Sequence, residues 1–204
     1  MSIKAVIWDM GGVIVRTEDH ASRDNLAAQL GVTRHHLETS VFGGEIGHQA
    51  QRGEIDAPNL WEAVRQTYNL SKDGIKDFQK RFWAGDEVDY QLVEYIRSLR
   101  KNYISALLSN AWNDLRAVIT ERWNFADAFD TMIISGEEGV MKPAARIYQI
   151  ALDRTQVAPS EAVFIDDFAH NIEGAKAVGM HVIQFISVEQ TLNDLKELLN
   201  EKDH

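Results

Sequence analysis

The chain has 204 residues, with 21 basic and 31 acidic side chains and a formal net charge of −10. This charge argues against nucleic-acid and anionic-membrane partners, because both require a basic protein face. The chain has no cysteine, which excludes disulfides, thiolate metal sites and thiol nucleophiles, and the resulting expectation is a cytoplasmic protein. No apolar run approaches the roughly 18 residues of a membrane span, and the N-terminus does not resemble a secretory signal.

Short apolar runs alternate with amphipathic stretches along most of the chain. The runs are short and rich in β-branched or aromatic residues, as expected for strands that are buried on both faces. The predicted strands are Ile3–Trp8, Tyr103–Leu108, Thr131–Ile134, Ala162–Ile165 and His181–Phe185. Strands that alternate with helices predict an α/β fold with a doubly wound parallel sheet.

One long segment interrupts this alternation. Residues 16–84 show helical stripes and no convincing strand, so we predict an all-helical insert, called the cap below, with Ser71 as a helix N-cap. The core domain would then consist of residues 1–15 and 85–204, with its next helix starting near Val88. Because both ends of the insert adjoin the end of the first strand, the cap can lie over that strand's tip as a lid.

Polar residues stand where the predicted strands end. Ligands in open α/β sheets bind outside the carboxyl ends of the strands. The residues at or near these ends are acids, a hydroxyl, an amide and a lysine: Asp9, Ser109, Asn110, Lys142, Asp166 and Asp167. Any one of them could be a turn residue or a helix N-cap, but the set at a single edge indicates a binding site.

The residue types at this edge predict a specific chemistry. Three crowded carboxylates repel one another unless a cation joins them, and Mg²⁺ prefers such oxygen ligands. Lys142, the hydroxyl of Ser109 and the backbone amides of Gly11 and Gly12 are suited to bind phosphate. A carboxylate such as Asp9 can attack phosphorus to form an aspartyl-phosphate, which water then hydrolyses. The pattern therefore predicts metal-assisted phosphoryl transfer.

Four motifs in this chain resemble those of the haloacid dehalogenase (HAD) superfamily, in the family's order. They are Asp9–Val13, Leu108–Asn110, Lys142–Tyr148 and Phe164–Asp167, the last followed by Asn171, Gly174 and Ala175. Within the superfamily the chain most resembles sugar-phosphate phosphatases acting on glucose 1-phosphate-like substrates and the phosphatase domain of soluble epoxide hydrolase. The resemblance implies a Rossmann-like core with a helical cap and a Mg²⁺-dependent phosphatase that acts on a small phosphorylated metabolite, such as a sugar phosphate.

The resemblance also implies roles for individual residues. Asp9 would be the nucleophile and a metal ligand, and the Gly11 carbonyl and Asp167 would be the other protein ligands of Mg²⁺. Ser109 and Asn110 would hold the transferred phosphoryl group.

Three further residues would support these groups. Lys142 would neutralise the phosphoryl group and link to the carboxylates. Asp166 and Asn171 would orient the surroundings of the metal, although Asn171 could instead be the N-cap of the following helix.

Gly11 departs from the family pattern. Most HAD phosphatases carry a second aspartate at this position, which protonates the leaving group and later activates water. A positioned acid or base typically contributes about 10²–10⁴-fold to a rate. Turnover would therefore be slow unless a cap residue supplies the proton, and the candidates Glu45, His48 and Glu54 lie in or beside the glycine-containing stretch Gly43–Gly53, predicted to be a lid loop.

Two alternatives to a phosphatase remain open from the sequence. A metal-free haloacid dehalogenase would share Asp9, Ser109, Asn110, Lys142 and Tyr148. It would not need the missing aspartate at Gly11, but it would have no use for the metal-site pattern of Asp166 and Asp167. A phosphate-sensing or binding protein with weak turnover would be consistent with Gly11. The tryptophans Trp61, Trp83, Trp112 and Trp123 are expected to be packing residues, and Trp112 could instead border the pocket because it closely follows Asn110.

Overall fold

A computed structural model describes residues 2–200, so Met1 and residues 201–204 of the predicted core lie outside the described residues. Its strands are β1 Ala5–Trp8, β2 Val15–Thr17, β3 Asp86–Val88, β4 Ile104–Ser109, β5 Thr131–Ile134, β6 Ala162–Asp166 and β7 His181–Gln184. Within the described range, five of them form one parallel sheet in the order β5-β4-β1-β6-β7. This order confirms the predicted doubly wound sheet, with β1 at its centre.

The helices follow the predicted alternation. They are α1 Ala21–Gln29, α2 Arg34–Phe42, α3 Gly44–Gln51, α4 Ala57–Thr67, α5 Lys72–Phe82, α6 Tyr90–Leu99, α7 Leu115–Ala117, α8 Ser135–Glu138, α9 Ala145–Thr155, α10 Ala169–Ala177 and α11 Val188–Asn200. A π-helical turn over Val118–Arg122 continues α7, and short 3₁₀ turns span Ala126–Ala128 and Pro159–Glu161. Among the described helices, none has the length and apolar character that a membrane crossing requires.

The sheet is buried on both faces because each strand presents apolar side chains to both sides. Val6 and Trp8 of β1 pack in one cluster with residues of α6 and α11. Ala5 and Ile7, which point to the opposite face, pack with residues of α9 and α10. Successive strand residues alternate between faces, so the continuous apolar sequence of β1 contributes to the hydrophobic clusters on both faces of the sheet.

The cap has a hydrophobic cluster of its own, formed between helices α1 to α5. Its buried members include Leu37, Leu60, Phe78 and Phe82. Ser71 caps α5 as predicted, because its hydroxyl accepts a hydrogen bond from the amide of Gly74 at 3.0 Å.

The sequence pattern predicts an all-helical cap, but the structure differs at the start of this segment. Arg16 and Thr17 belong to β2, which pairs antiparallel with β3 at the junction of cap and core. These three-residue strands are largely half-buried, so they show none of the apolar alternation that identifies a strand. The helix expected near Val88 begins at Tyr90, where the side chain of Asp89 caps it.

One further expectation was wrong. Gly43–Gly53 is not a lid loop, because most of it forms α3. A Cβ atom at Gly47 would lie 2.7 Å from the backbone of Phe42, so this glycine allows α3 to pack closely on the end of α2.

Candidate active site

Lys142 joins two carboxylates at the carboxyl edge of the sheet. Its Nζ lies 2.8 Å from Oδ1 of Asp9, which follows β1, and 2.6 Å from Oδ2 of Asp166, which ends β6. It also donates to the carbonyl oxygen of Leu108 in β4 at 3.0 Å. All three side chains are buried, so the three protons of the ammonium group are matched by three acceptors from three adjacent strands.

Asp166 is held by donors of the protein on both of its oxygens. Oδ2 accepts from Lys142 and from Nδ2 of Asn171, while Oδ1 accepts from the same Nδ2 and from the amide of Phe168. With both oxygens engaged, Asp166 is suited to orient Lys142 and Asn171 rather than to bind a cation. Asn171 lies inside α10 and makes these bonds with its side chain, so it is not the N-cap considered as its alternative role.

The side chain of Asn110 fixes the loop that carries Lys142. Its Oδ1 accepts from the amide of Lys142 at 2.8 Å, and its Nδ2 donates to the carbonyl of the same residue at 2.9 Å. The side-chain amide is thus engaged in positioning Lys142. Ser109, at the end of β4, is buried beside it. A contact between Asn110 and a phosphoryl group stays a prediction, for which Nδ2 has a second proton that it does not use on Lys142.

Gly12 lets the turn after β1 approach Asp167 closely. It has a φ of +80°, and a Cβ atom there would lie 2.2 Å from Oδ2 of Asp167, so no larger residue fits without rearrangement. Its amide donates to the carbonyl of Val15 at 2.9 Å, and this bond would have to break before that amide could bind phosphate. Gly11 differs, because a Cβ atom at that position would meet no other atom within 4 Å.

Burial and mutual repulsion make two of the carboxylates difficult to ionise. Burial raises the pKa of Asp9 to about 8, with Lys142 opposing this change and Asp166 adding to it. Burial, together with the charge of Asp166, raises the pKa of Asp167 to about 6. Lys142 stays protonated, because the carboxylates of Asp9 and Asp166 raise its pKa although its burial acts in the opposite direction.

The acidic group fits a hard divalent cation. Carboxylate oxygens of Asp9, Asp166 and Asp167 lie within 4.8 Å of one another. Oδ1 of Asp167 and Oδ1 of Asn171 are buried and accept no hydrogen bond from the described residues. Unpartnered buried oxygens are costly, and Mg²⁺ with its bound waters would satisfy them while offsetting the carboxylate charges. Asp9 and Asp167 are therefore the side chains best suited to hold the ion.

Comparison with known families agrees with this geometry. A family model described as a haloacid dehalogenase-like hydrolase matches residues 3–179, which include every residue of the site. The chain belongs to this family. It is therefore an enzyme, a HAD-like hydrolase.

Named relatives of this HAD-like hydrolase include phosphatases. It is 29% identical to D-ribitol-5-phosphate phosphatase of Bacteroides thetaiotaomicron, over 97% of this chain and 99% of that protein. It is 39% identical to mouse acyl-CoA dehydrogenase family member 10, over 97% of this chain but only 19% of that much longer protein. Its fold matches a HAD family enzyme from B. thetaiotaomicron, solved with magnesium and inorganic phosphate, with a TM-score of 0.74 and 21% identity over 90% of this chain and 94% of the other.

The candidate acid residues of the cap make other contacts in this hydrolase. Glu45 and Glu54 both pair with Arg52 on the surface of the cap, and His48 is exposed. A role for one of these three residues as the proton donor that Gly11 cannot provide stays a prediction.

Two contacts of the site were not predicted from the sequence. The hydroxyl of Tyr148, buried under the site, donates to the carbonyl of Asn171 at 2.8 Å and so supports the start of α10. The carbonyl of Leu108 accepts from Lys142. Tyr148 was identified in the sequence as a residue shared with the dehalogenase alternative, but its contact with α10 was not predicted. The backbone carbonyl of Leu108 leaves no signal in a sequence.

Proposed function

We propose that this HAD-like hydrolase is a Mg²⁺-dependent phosphatase that acts on a small phosphorylated metabolite, such as a sugar phosphate. The observation that carries the proposal is the buried array of Asp9, Lys142 and Asp166 beside Asp167, whose Oδ1 has no hydrogen-bond donor among the described residues. The similarity to a phosphatase of D-ribitol 5-phosphate along almost the whole chain supports the substrate class.

Asp9 is the proposed nucleophile. Lys142 holds Oδ1 of Asp9, which orients the carboxylate and stabilises its ionised form against the effect of burial. A carboxylate oxygen would attack phosphorus while the bond from phosphorus to the ester oxygen breaks, giving an aspartyl-phosphate and an alkoxide. The alkoxide would take a proton from water and leave as the alcohol, because Gly11 provides no acid. Water would then split the aspartyl-phosphate, releasing inorganic phosphate and restoring Asp9.

Charge neutralisation is the second requirement of this reaction. Asp9, Asp167 and the Gly11 carbonyl would hold Mg²⁺, which when bound supplies positive charge to the phosphoryl oxygens. Ser109 lies buried at the end of β4, where its hydroxyl would donate to the same group. Asp166 acts indirectly, because it fixes the ammonium group of Lys142. Asn110 fixes the backbone of Lys142, and the second proton of its Nδ2 would donate to the phosphoryl group.

The cap has a proposed role as well. We propose that residues 16–84 form a separate cap domain over the core and select the alcohol part of the substrate. The cytoplasmic location and the absence of nucleic-acid or membrane partners stay predictions from the composition.

The test is hydrolysis of an aryl phosphate by the purified protein with Mg²⁺, followed by a panel of phosphorylated metabolites that includes D-ribitol 5-phosphate. Activity should vanish on chelation and fall by about 10⁴-fold or more in Asp9→Asn, because this change removes the nucleophile and keeps its shape. Asp73→Asn, a change to an exposed aspartate of the cap, is the matched control and should keep full activity.

Three results would contradict the proposal. Phosphatase activity that survives chelation or the loss of Asp9 would exclude this mechanism. Halide release from a 2-haloacid without metal would identify a dehalogenase instead. Binding of phosphate without turnover of any ester would identify a phosphate-sensing protein.

A further inference from the structure

Trp112 of the core packs into the hydrophobic cluster of the cap. The buried members of that cluster lie between Leu26 and Phe82, and Trp112 is the described member that comes from outside the cap. Its ring lies 5.5 Å from that of Trp61 and 6.0 Å from that of Trp83, both edge-on. It also stacks on Phe42, at 6.3 Å and an interplanar angle of 22°. Such contacts contribute beyond simple burial, so Trp112 holds the cap to the core.

The loop that carries Trp112 begins at Asn110, directly after Ser109 at the end of β4. Ala111 joins these residues to Trp112, and its amide donates to Oγ of Ser135 at 2.9 Å. Its carbonyl accepts from the amide of Gly136 at 3.0 Å. Ala111 alone separates Asn110 from Trp112, so the packing of Trp112 in the cap and these hydrogen bonds to the core hold the same short loop.

Gly136, in α8 of the core, lies between the backbone of the cap and the loop that carries Trp112. A Cβ atom on Gly136 would lie 2.8 Å from the carbonyl oxygen of Ala111 and 2.9 Å from the amide nitrogen of Asn113. A Cβ atom on Gly53, in the cap, would lie 2.1 Å from the carbonyl oxygen of Gly136. These two glycines allow the cap, the β5–α8 junction and the loop after β4 to touch at the level of the backbone, without intervening side chains.

We propose that Trp112 is a positioning residue that couples the seating of the cap to the loop that binds the phosphoryl group. With the cap seated, the aromatic socket of Phe42, Trp61 and Trp83 holds Trp112, and the loop keeps Asn110 bonded to the backbone of Lys142. When the cap lifts, Trp112 loses its socket and the loop loosens. The effect on phosphate rests on the proposed function, whereas the mechanical coupling does not.

Two measurements test this coupling separately. The first is hydrogen–deuterium exchange of the backbone from 105 to 116, which needs no ligand. Phe42→Ala, a change in the cap at a half-exposed ring, should increase exchange in this loop of the core, and Trp112→Ala should do the same. Tyr68→Ala, which removes a cap ring that packs on Phe78, is the control and should leave the loop unchanged.

The second measurement is the affinity for inorganic phosphate with Mg²⁺, by calorimetry. Trp112→Ala should weaken binding by about 5-fold to 150-fold, the usual range for coupling between two sites. Trp112→Phe should restore most of the affinity, because it keeps an aromatic ring in the socket. Trp123→Ala removes a tryptophan that stacks on Phe125 within the core, and it should leave the affinity unchanged.

The outcomes are distinct. Loop exchange that stays unchanged in both Phe42→Ala and Trp112→Ala would overturn the coupling, and so would phosphate affinity within twofold of the wild type in a folded Trp112→Ala. If Trp112→Ala does not fold, hydrogen–deuterium exchange of the loop in Phe42→Ala alone tests the coupling. If the wild type binds no phosphate while Phe42→Ala still loosens the loop, the coupling stands and the proposed function fails.

Discussion

The carboxyl edge of the sheet and the cap place their charged side chains differently. At the edge, Lys142 and Asp166 are about 1% and 0% exposed, and each is held by several partners. On the cap, ion pairs such as Lys76 with Asp73 lie on the surface, while aromatic rings fill the interior. Buried charges cannot reorient in response to water, whereas exposed pairs contribute little. The charged groups at the edge are thus held in fixed positions, whereas the cap is stabilised by the packing of its aromatic side chains.

An exception within the cap lies at its base. Arg23 is buried, and its guanidinium donates to both oxygens of Asp86 in β3 at 2.8 Å and stacks over the ring of Phe82. The hydroxyl of Thr17 in β2 donates to the same carboxylate. The cap is therefore anchored to the β2–β3 pair by a buried charge, and to the core loop by Trp112.

The largest effect should come from removing the charge at the edge. Lys142→Met keeps the length of the side chain but leaves Asp9 and Asp166 without their cation. We expect a loss of about 3–5 kcal/mol in the free energy of unfolding and of about 10²–10³-fold in kcat. Denaturant unfolding and steady-state kinetics measure both. The exposed Lys101→Met is the control, and equal stability of the two variants would contradict the account of a preorganised edge.

Gly11→Asp should increase the rate of phosphate ester hydrolysis at the edge. The position has open space, so an aspartate side chain fits, and an acid there could protonate the leaving group. Turnover of an alkyl phosphate should rise by about 10²-fold, at the lower end of the usual range for acid catalysis, and that of an aryl phosphate much less. Gly11→Asn is the isosteric control without an acid. An unchanged or lower rate with alkyl phosphate would show that acid catalysis is not limiting.

At the base of the cap, Asp86→Asn should have a moderate effect. It removes the charge that pairs with buried Arg23 and keeps the shape of the side chain. We expect about 1–3 kcal/mol of destabilisation, measured by denaturant unfolding. The control Asp73→Asn breaks an exposed pair on α5 and should leave the unfolding curve unchanged. Similar unfolding curves for both variants would show that the buried pair of Arg23 and Asp86 does not stabilise the protein.

The smallest expected effect is an increase in Tm on binding of Mg²⁺, which should depend on pH. Because the pKa of Asp167 is raised to about 6, the folded chain binds more protons than the unfolded chain between about pH 4 and pH 6, and it loses stability as the pH rises through that window. The raised pKa of Asp9 extends the window to about pH 8. Mg²⁺ needs ionised carboxylates, so a few-fold excess over Kd should raise Tm by about 2–4 °C at about pH 8 and hardly at pH 5 or so.

Calorimetry with and without Mg²⁺ measures this difference. Asp167→Asn removes one proposed ligand and should abolish most of the Mg²⁺ effect at the higher pH. An equal rise in Tm at both pH values, or one that persists in Asp167→Asn, would show that the ion binds elsewhere.

The sheet could be predicted because its strands carry strong local signals. Thr131–Ile134 coincides with β5, and the other predicted core strands overlap the observed ones. The β2–β3 pair and α3 were missed for a different reason. A three-residue strand exists only because a partner pairs with it, and the glycine-containing segment of α3 packs closely on the end of α2 because Gly47 has no side chain. No local pattern records either contact.

The candidate site divides in the same way. The sequence alone determined that acids, a hydroxyl and a lysine converge at one edge, because parallel strands bring their carboxyl ends together. It also determined the family. Only the tertiary structure decided what each group does there: Asn110 is engaged with the backbone of Lys142, Asp166 has both oxygens engaged, and Trp112 belongs to the cap cluster. These contacts join residues far apart in the chain, and their geometry follows from packing rather than from local sequence.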